Sequence, residues 1–285
     1  MSSFRHQREV AAARGFAMPI VIVLALVVAI MATVMLERQG TQRLSVQRQL
    51  NLYRDHHFQR GIREVAGAWT DTLGGQPIEK MIDTDGHALD IELADGGNLS
   101  IYLFDAQGST RSDPRGLNEE EKTDAGGVYE QLMVMSGGKP DPMWFRTVGS
   151  VKVCAASAPY EVLEAIANYA SGGSRAGKRF ADELVEARQA QELTQANIQT
   201  ACSAAGLDAE AVQTINRLIV VKPELWAMVV DVYQAGRASN GPVARYMGRF
   251  VPPGAQTSGG NGTSLQSLGK FLTWEELPLE GTAQR

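Results

Sequence analysis

Hydrophobic positions along the chain change period several times, and each change predicts an element. Phe16–Leu36 (FAMPIVIVLALVVAIMATVML) is 21 residues without a charge. As a helix at about 1.5 Å per residue it would reach roughly 31 Å, enough to cross the hydrocarbon of a bilayer. From Glu37 to Leu73 there is no proline, and apolar residues recur mostly three or four apart. They fall at Val46, Leu50 and Tyr53, then at Phe58, Ile62, Val65, Trp69 and Leu73. That spacing predicts that the apolar helix continues as an amphipathic one that covers a globular head. A coiled-coil stalk fits the same pattern.

After Gly74-Gly75 the period becomes two. Leu89, Ile91 and Leu93 alternate with polar residues, Asp95-Gly96-Gly97-Asn98 turns, and Leu99, Ile101 and Leu103 alternate again, a β-hairpin signature. Residues 109–127 are polar and Gly-rich, and their acidic run Glu119–Glu121 reads as a solvated loop or a helix start. Residues 143–154 read as extended. From Ser157 the pattern is helical: Ser157 as N-cap, Pro159 in the first turn, Glu161 at the positive helix end, and Val162, Leu163 and Ile166 as the apolar face. Further helices are expected over 180–193, 195–205 and 209–217. Extended segments return over 218–221, 226–233 and 243–251. A helical domain inserted into an antiparallel sheet explains this order. Residues 252–285 read as a flexible tail whose Phe271–Pro278 segment docks on another subunit or folds back on its own domain.

Charge sharpens the division. The 285 residues carry a formal net charge of −5, a balance that offers no basic surplus for nucleic acid. Its distribution is uneven: +2 over residues 1–15, +3 over 37–64 and −10 over 65–285. A cleaved secretory signal would have a shorter apolar core and an A-x-A-like site. A plain signal anchor fits the length and, weakly, the positive-inside rule. A third reading starts from Arg14-Gly15-Phe16, where a short polar leader ends in Gly and Phe opens the apolar run directly.

Little in the chain calls for catalysis, a metal or a cofactor. Gly172–Lys178 has phosphate-loop spacing, but Arg179 stands where Ser or Thr would hold magnesium, and a helix precedes it instead of a strand. His56 and His57 are neighbours on a helix and point about 100° apart. No nucleophile–base set can be assembled around His87, so the reading is of a non-enzyme. Glu119–Glu121 lacks the ordered oxygen ligands of a calcium loop. Cys154 and Cys202 are too far apart for zinc-knuckle spacing. In an oxidising compartment they are able to form one disulfide.

Arg14-Gly15-Phe16 and the run behind it resemble the signal of type IV pilins and type II secretion pseudopilins, which a prepilin peptidase cuts after the Gly. Val153-Cys-Ala-Ala-Ser157-Ala-Pro159-Tyr-Glu161-Val162-Leu163 resembles the V-N-x-N-[TS]-A-P-x-E-V-L segment that opens the inserted α-domain of the K-type minor pseudopilin. Cys154 and Ala156 stand at that pattern's Asn positions, so this chain is a divergent member or a cousin. In most pilins the fifth mature residue is Glu, which neutralises a neighbour's N-terminal ammonium; counted from Phe16, Ile20 stands there.

The resemblance implies an α+β, pilin-like lollipop with a long N-terminal helix, an antiparallel sheet and an inserted α-helical domain. Its parts are a prepilin-type leader (1–15), a transmembrane and amphipathic helix (16–75), a β-containing pseudopilin part (76–156), the inserted helical domain (157–217), returning strands (218–251) and a flexible tail (252–285). It also implies cleavage between Gly15 and Phe16, N-methylation of Phe16, and a tip position that Ile20 permits. The implied partners are other minor pseudopilins, the pseudopilus, the prepilin peptidase and the inner membrane, with the C-terminal domain in the periplasm and no nucleic acid. The alternatives are a single-pass, signal-anchored periplasmic binding protein and a type IV pilus minor pilin.

Overall fold

The computed structural model describes residues 3–73, 77–94, 96–190, 193–235, 241–252 and 271–279, with side chains described from residue 18 onward apart from that of Ser174. The chain divides into two units, Met1–Ile62 and Arg63–Arg285. Helix α1 (Ser3–Thr72) supplies the described part of the first unit and opens the second.

Within the second unit the end of α1 is buried on one side, with Ala66, Thr70 and Leu73 inaccessible at the i, i+4, i+7 spacing of a single helix face. The period-two segments form strands β1 (His87–Glu92) and β2 (Asn98–Asp105), paired antiparallel as expected, with a register shift between His87 and Leu89. Three more strands complete the sheet: β7 (Trp226–Tyr233), β8 (Ala244–Phe250) and β9 (Phe271–Leu277), in the order β1-β2-β7-β8-β9. Alternation selects one inward face, where Leu99, Ile101, Leu103, Met228, Val230, Val232, Tyr246 and Phe250 are all buried. On the opposite face Asp231 is buried too, and its carboxylate accepts two bonds from Arg245 on the neighbouring strand, at 2.5 and 2.7 Å.

The tail corrects an expectation. Part of residues 252–285 is strand and not flexible tail: β9 pairs antiparallel with β8, and the Phe271 ring meets Phe250 edge-on at 5.9 Å. Gly248 makes this possible, since a Cβ there would come within 2.6 Å of the Phe271 ring and 2.7 Å of Trp274. Residues 253–270 and 280–285 lie outside the described residues.

Between β2 and β7 come two short strand pairs and the helices. Strand β3 (Thr110–Arg111) runs parallel to β4 (Phe145–Arg146), and β5 (Val153–Cys154) parallel to β6 (Ile219–Val220). The helices are α2 (Glu119–Met135), α3 (Tyr160–Ser171), α4 (Ser174–Ala190), α5 (Gln195–Ala204) and α6 (Ala209–Leu218). The acidic run resolves as a helix start. Asn118 caps α2 by accepting from the Glu121 amide at 2.8 Å, while Glu121 accepts from the Asn118 amide at 3.0 Å, and the three carboxylates sit at the positive end of the helix.

Leu132, Val162, Leu163, Ile166, Phe180, Leu184, Ile198 and Ile215 join in one core spanning α2 to α6. Asp124 of α2 is buried and ties three helices, accepting from Arg217 of α6 at 2.9 and 3.1 Å and from the Tyr169 hydroxyl of α3 at 2.9 Å. Ser157 does not cap α3. Pro159 occupies the N-cap position, and Ser157 donates instead to Asp105 at 2.6 Å. The Gly172–Lys178 stretch spans the left-handed end of α3 and the first turns of α4, and Gly177 admits the Asn168 side chain of α3.

Gly127 and Gly126 offer a test of this packing. A Cβ on Gly127 would overlap the Tyr169 ring, whereas one on Gly126 meets open space. Gly127→Ala is expected to destabilise the fold by about 1–3 kcal/mol through overpacking. Gly126→Ala should stabilise it by up to about 1 kcal/mol through helix propensity. Denaturant unfolding of both variants reads the two signs, and equal shifts would refute the packing argument.

Candidate anchor and assembly site

Residues Met18–Thr72 of α1 are long and apolar enough to cross a membrane, and none of their apolar window is buried. In water such a surface is unfavourable at roughly 25 cal/mol per Å2, and the stretch is compatible with a membrane anchor. Ile20 lies in this stretch, half exposed, and brings no charge to it. Gly15 and Phe16 fall within the span of α1, and their side chains lie outside the described residues. His56 and His57 are exposed on the same helix, with the His57 ring 4.1 Å from that of Tyr53. Among the described residues no three His, Cys, Asp or Glu side chains are grouped to hold a metal ion.

The second element is the junction where the chain leaves the sheet for the helices and returns. The segment resembling the pseudopilin motif sits here. Its Val153-Cys154 forms β5, Cys154 N–H donates to the Gln107 carbonyl at 2.9 Å, and Ala155 N–H donates to the Val220 carbonyl at 2.8 Å. Arg188 of α4 reaches back and donates to the Ala155 and Ala158 carbonyls at 2.6 and 2.9 Å. Burial lowers the Arg188 pKa from its ordinary value, and the guanidinium remains a cation at neutral pH.

Gln107, fully buried, is the centre of this junction. Its amide nitrogen donates to the Lys152 carbonyl at 3.0 Å and the Ser150 hydroxyl at 3.3 Å, on the path into the helices. Its carbonyl oxygen accepts from the Glu224 and Leu225 amides at 2.5 and 3.1 Å, on the path back. Its own backbone N–H donates to Asp105, at the end of β2. Sequence reasoning takes Asp105–Gly108 as a closing turn and misses this role, because a single buried polar residue has no period to reveal it. Arg146 lies close by, donating to the Ser150 and Lys152 carbonyls at 2.6 Å. Burial above all, with help from Arg111 and Arg249 and against Asp105, pushes its pKa down to about 9.

The two cysteines are not joined in this structure. Both are free and buried: Cys154 donates to the Val221 carbonyl at 3.4 Å, and Cys202 lies on α5 in the helical core. Burial, helped by Asp105, pushes the Cys154 thiol up to about 12, and burial pushes Cys202 up to about 11.

No family model matches the chain, and no curated protein matches it. Among solved structures it is similar to a chain of the GspK-GspI-GspJ complex of the type 2 secretion system from enterotoxigenic Escherichia coli. That similarity covers 79% of this chain and 99% of that chain at 7% identity, with a TM-score of 0.40.

Two measurements probe the junction. Gln107→Leu removes the partner of the Glu224 and Leu225 amides and of the Ser150 hydroxyl, while the Lys152 carbonyl keeps Arg146, and should cost about 3 kcal/mol. Urea unfolding checks this, and a loss under about 1 kcal/mol would remove Gln107 from its central place. For the cysteines, iodoacetamide at neutral pH should label neither in the folded protein and both after unfolding without reductant. A disulfide would leave both unlabelled throughout. Since unfolded thiols ionise near 9.0 and the folded ones near 11 and 12, their contribution to stability is complete below pH 9.0 and is lost as pH rises through those values.

Proposed function

We propose that this protein is a K-type minor pseudopilin that caps the pseudopilus of a type II secretion system. The observation that carries the reading is the placement of one charge-free, wholly exposed helical stretch directly behind Arg14-Gly15-Phe16. An apolar helix with no burial inside its own chain suits a subunit held in the inner membrane and then packed against partner helices. A sheet whose adjacent strands β2 and β7 are separated by a block of helices suits a pilin-like domain with an α-domain inserted. In this reading a prepilin peptidase cuts after Gly15, Phe16 is N-methylated, and the folded unit faces the periplasm among other minor pseudopilins. Ile20 brings no carboxylate to neutralise an ammonium placed above it. A charge left unpaired in hydrocarbon is costly, so the position that suits Ile20 is the end of the filament. The role is structural, not enzymatic.

Mass spectrometry of the native N-terminus tests the proposal. The expected chain begins at N-methyl-Phe16. A chain that keeps Met1 would overturn it and favour a single-pass, signal-anchored periplasmic binding protein.

A further inference from the structure

Helix α1 runs without a break from Ser3 to Thr72 and contains a single proline, Pro19. An α-helix is built from bonds between the N–H of residue i and the carbonyl of residue i−4. Proline has no N–H, and inside a helix its ring presses on the carbonyl four residues before it. For Pro19 that carbonyl belongs to Gly15. It is the carbonyl of the Gly15–Phe16 peptide bond, so in the amide on which the proposed maturation turns the carbonyl lacks its usual helical donor.

The cost of Pro19 also differs on the two sides of that step. In the uncut chain Pro19 lies well inside α1, many residues after its start at Ser3. Once Gly15 is removed, Phe16, Ala17, Met18 and Pro19 are the first four residues. The first four N–H groups of any helix have no intrahelical partner, and proline is well tolerated in a first turn. Pro19 occupies the last position where proline removes no bond from the mature helix. One residue therefore weakens the helix across the leader junction before cleavage and leaves it intact afterwards.

We propose that Pro19 is a positioning residue for maturation: it holds the Gly15 carbonyl out of the helical hydrogen-bond ladder and so presents the Gly15–Phe16 amide to a peptidase. Hydrolysis there adds water across the amide. The C–N bond breaks, the hydroxyl stays on the Gly15 carbonyl carbon, and the proton goes to the Phe16 nitrogen. A carbonyl free of an intrahelical bond is open to donors that stabilise its oxyanion and to the attacking water. This inference rests on the cleavage reading given above.

The test uses the full chain in detergent micelles with purified prepilin peptidase, following release of the leader over time. Pro19→Ala restores the donor to the Gly15 carbonyl and should slow cleavage by about tenfold or more, because a helix across the junction must then be opened first. A shifted variant, Pro19→Ala with Ile20→Pro, keeps a proline in the helix but frees the carbonyl of Phe16. It should remain slow, which separates presentation of one carbonyl from general weakening of the helix. Cleavage of Pro19→Ala at the wild-type rate, or full recovery in the shifted variant, overturns the inference while the cleavage reading stands. Failure of the wild-type chain to yield a product starting at Phe16 removes the cleavage reading itself.

Discussion

Strands β2 and β7 pair residue for residue from Asn98–Tyr233 to Asp105–Trp226, although residues 106–225 lie between them. The remainder of the second unit depends on that pairing, because it joins the hairpin before the helices to the strands after them. Closing a loop of such length costs about 4 kcal/mol of chain entropy by the logarithmic rule, a cost the ladder alone must meet unless the loop's own ends are held together. They are held. Strands β5 and β6 join the incoming and outgoing chain in parallel, Gln107 bonds to both, and Lys152 meets Glu224 at 3.3 Å across the same gap. The helices thus fold on a base that is already closed.

The two units ask for different surroundings. The second gives each of its buried charges polar partners: Asp124 pairs with Arg217, Asp231 with Arg245, and Arg146 donates to two backbone carbonyls. Such pairs add little net stability, but removing one partner strands the other, so they fix which elements meet. Tyr169 shows the same discipline. Its hydroxyl, pushed up to about 12 by burial and by its bond to Asp124, stays a donor at any physiological pH. The first unit has the opposite chemistry, an apolar surface that water penalises over the whole stretch from Met18 to Leu36.

How much of this was legible in the sequence follows from how local each signal is. The apolar run and the alternation at Leu89–Leu103 are written in neighbouring residues, and both resolve as expected. The returning segments at 226–233 and 243–251 become β7 and β8 for the same reason. Helix α2 is less legible, since Gly126 and Gly127 lower its propensity and the packing purpose of Gly127 is visible only beside Tyr169. The Asn118-x-x-Glu121 capping box is the signal that locates its start. The sequence pattern places strand β9 in a tail because seven residues of mixed apolar and acidic character have no period of their own; what makes them a strand is pairing along the edge of β8. Gln107, the unpaired state of Cys154 and Cys202, and the diversion of Ser157 from capping to Asp105 all depend on residues brought together from distant parts of the chain.

The last strand has a further consequence. Among the described residues the two margins of the five-stranded sheet are β1 and β9. An open margin is a template on which foreign strands can add. Along β9 the exposed Glu275, 3.9 Å from Arg249 of β8, and the exposed Glu276 place acidic side chains at this margin. The segment Phe271–Leu277 therefore does two things at once: Phe271 closes the hydrophobic interior, and Glu275 and Glu276 put charged side chains, a feature that blunts edge pairing, on the margin of the sheet.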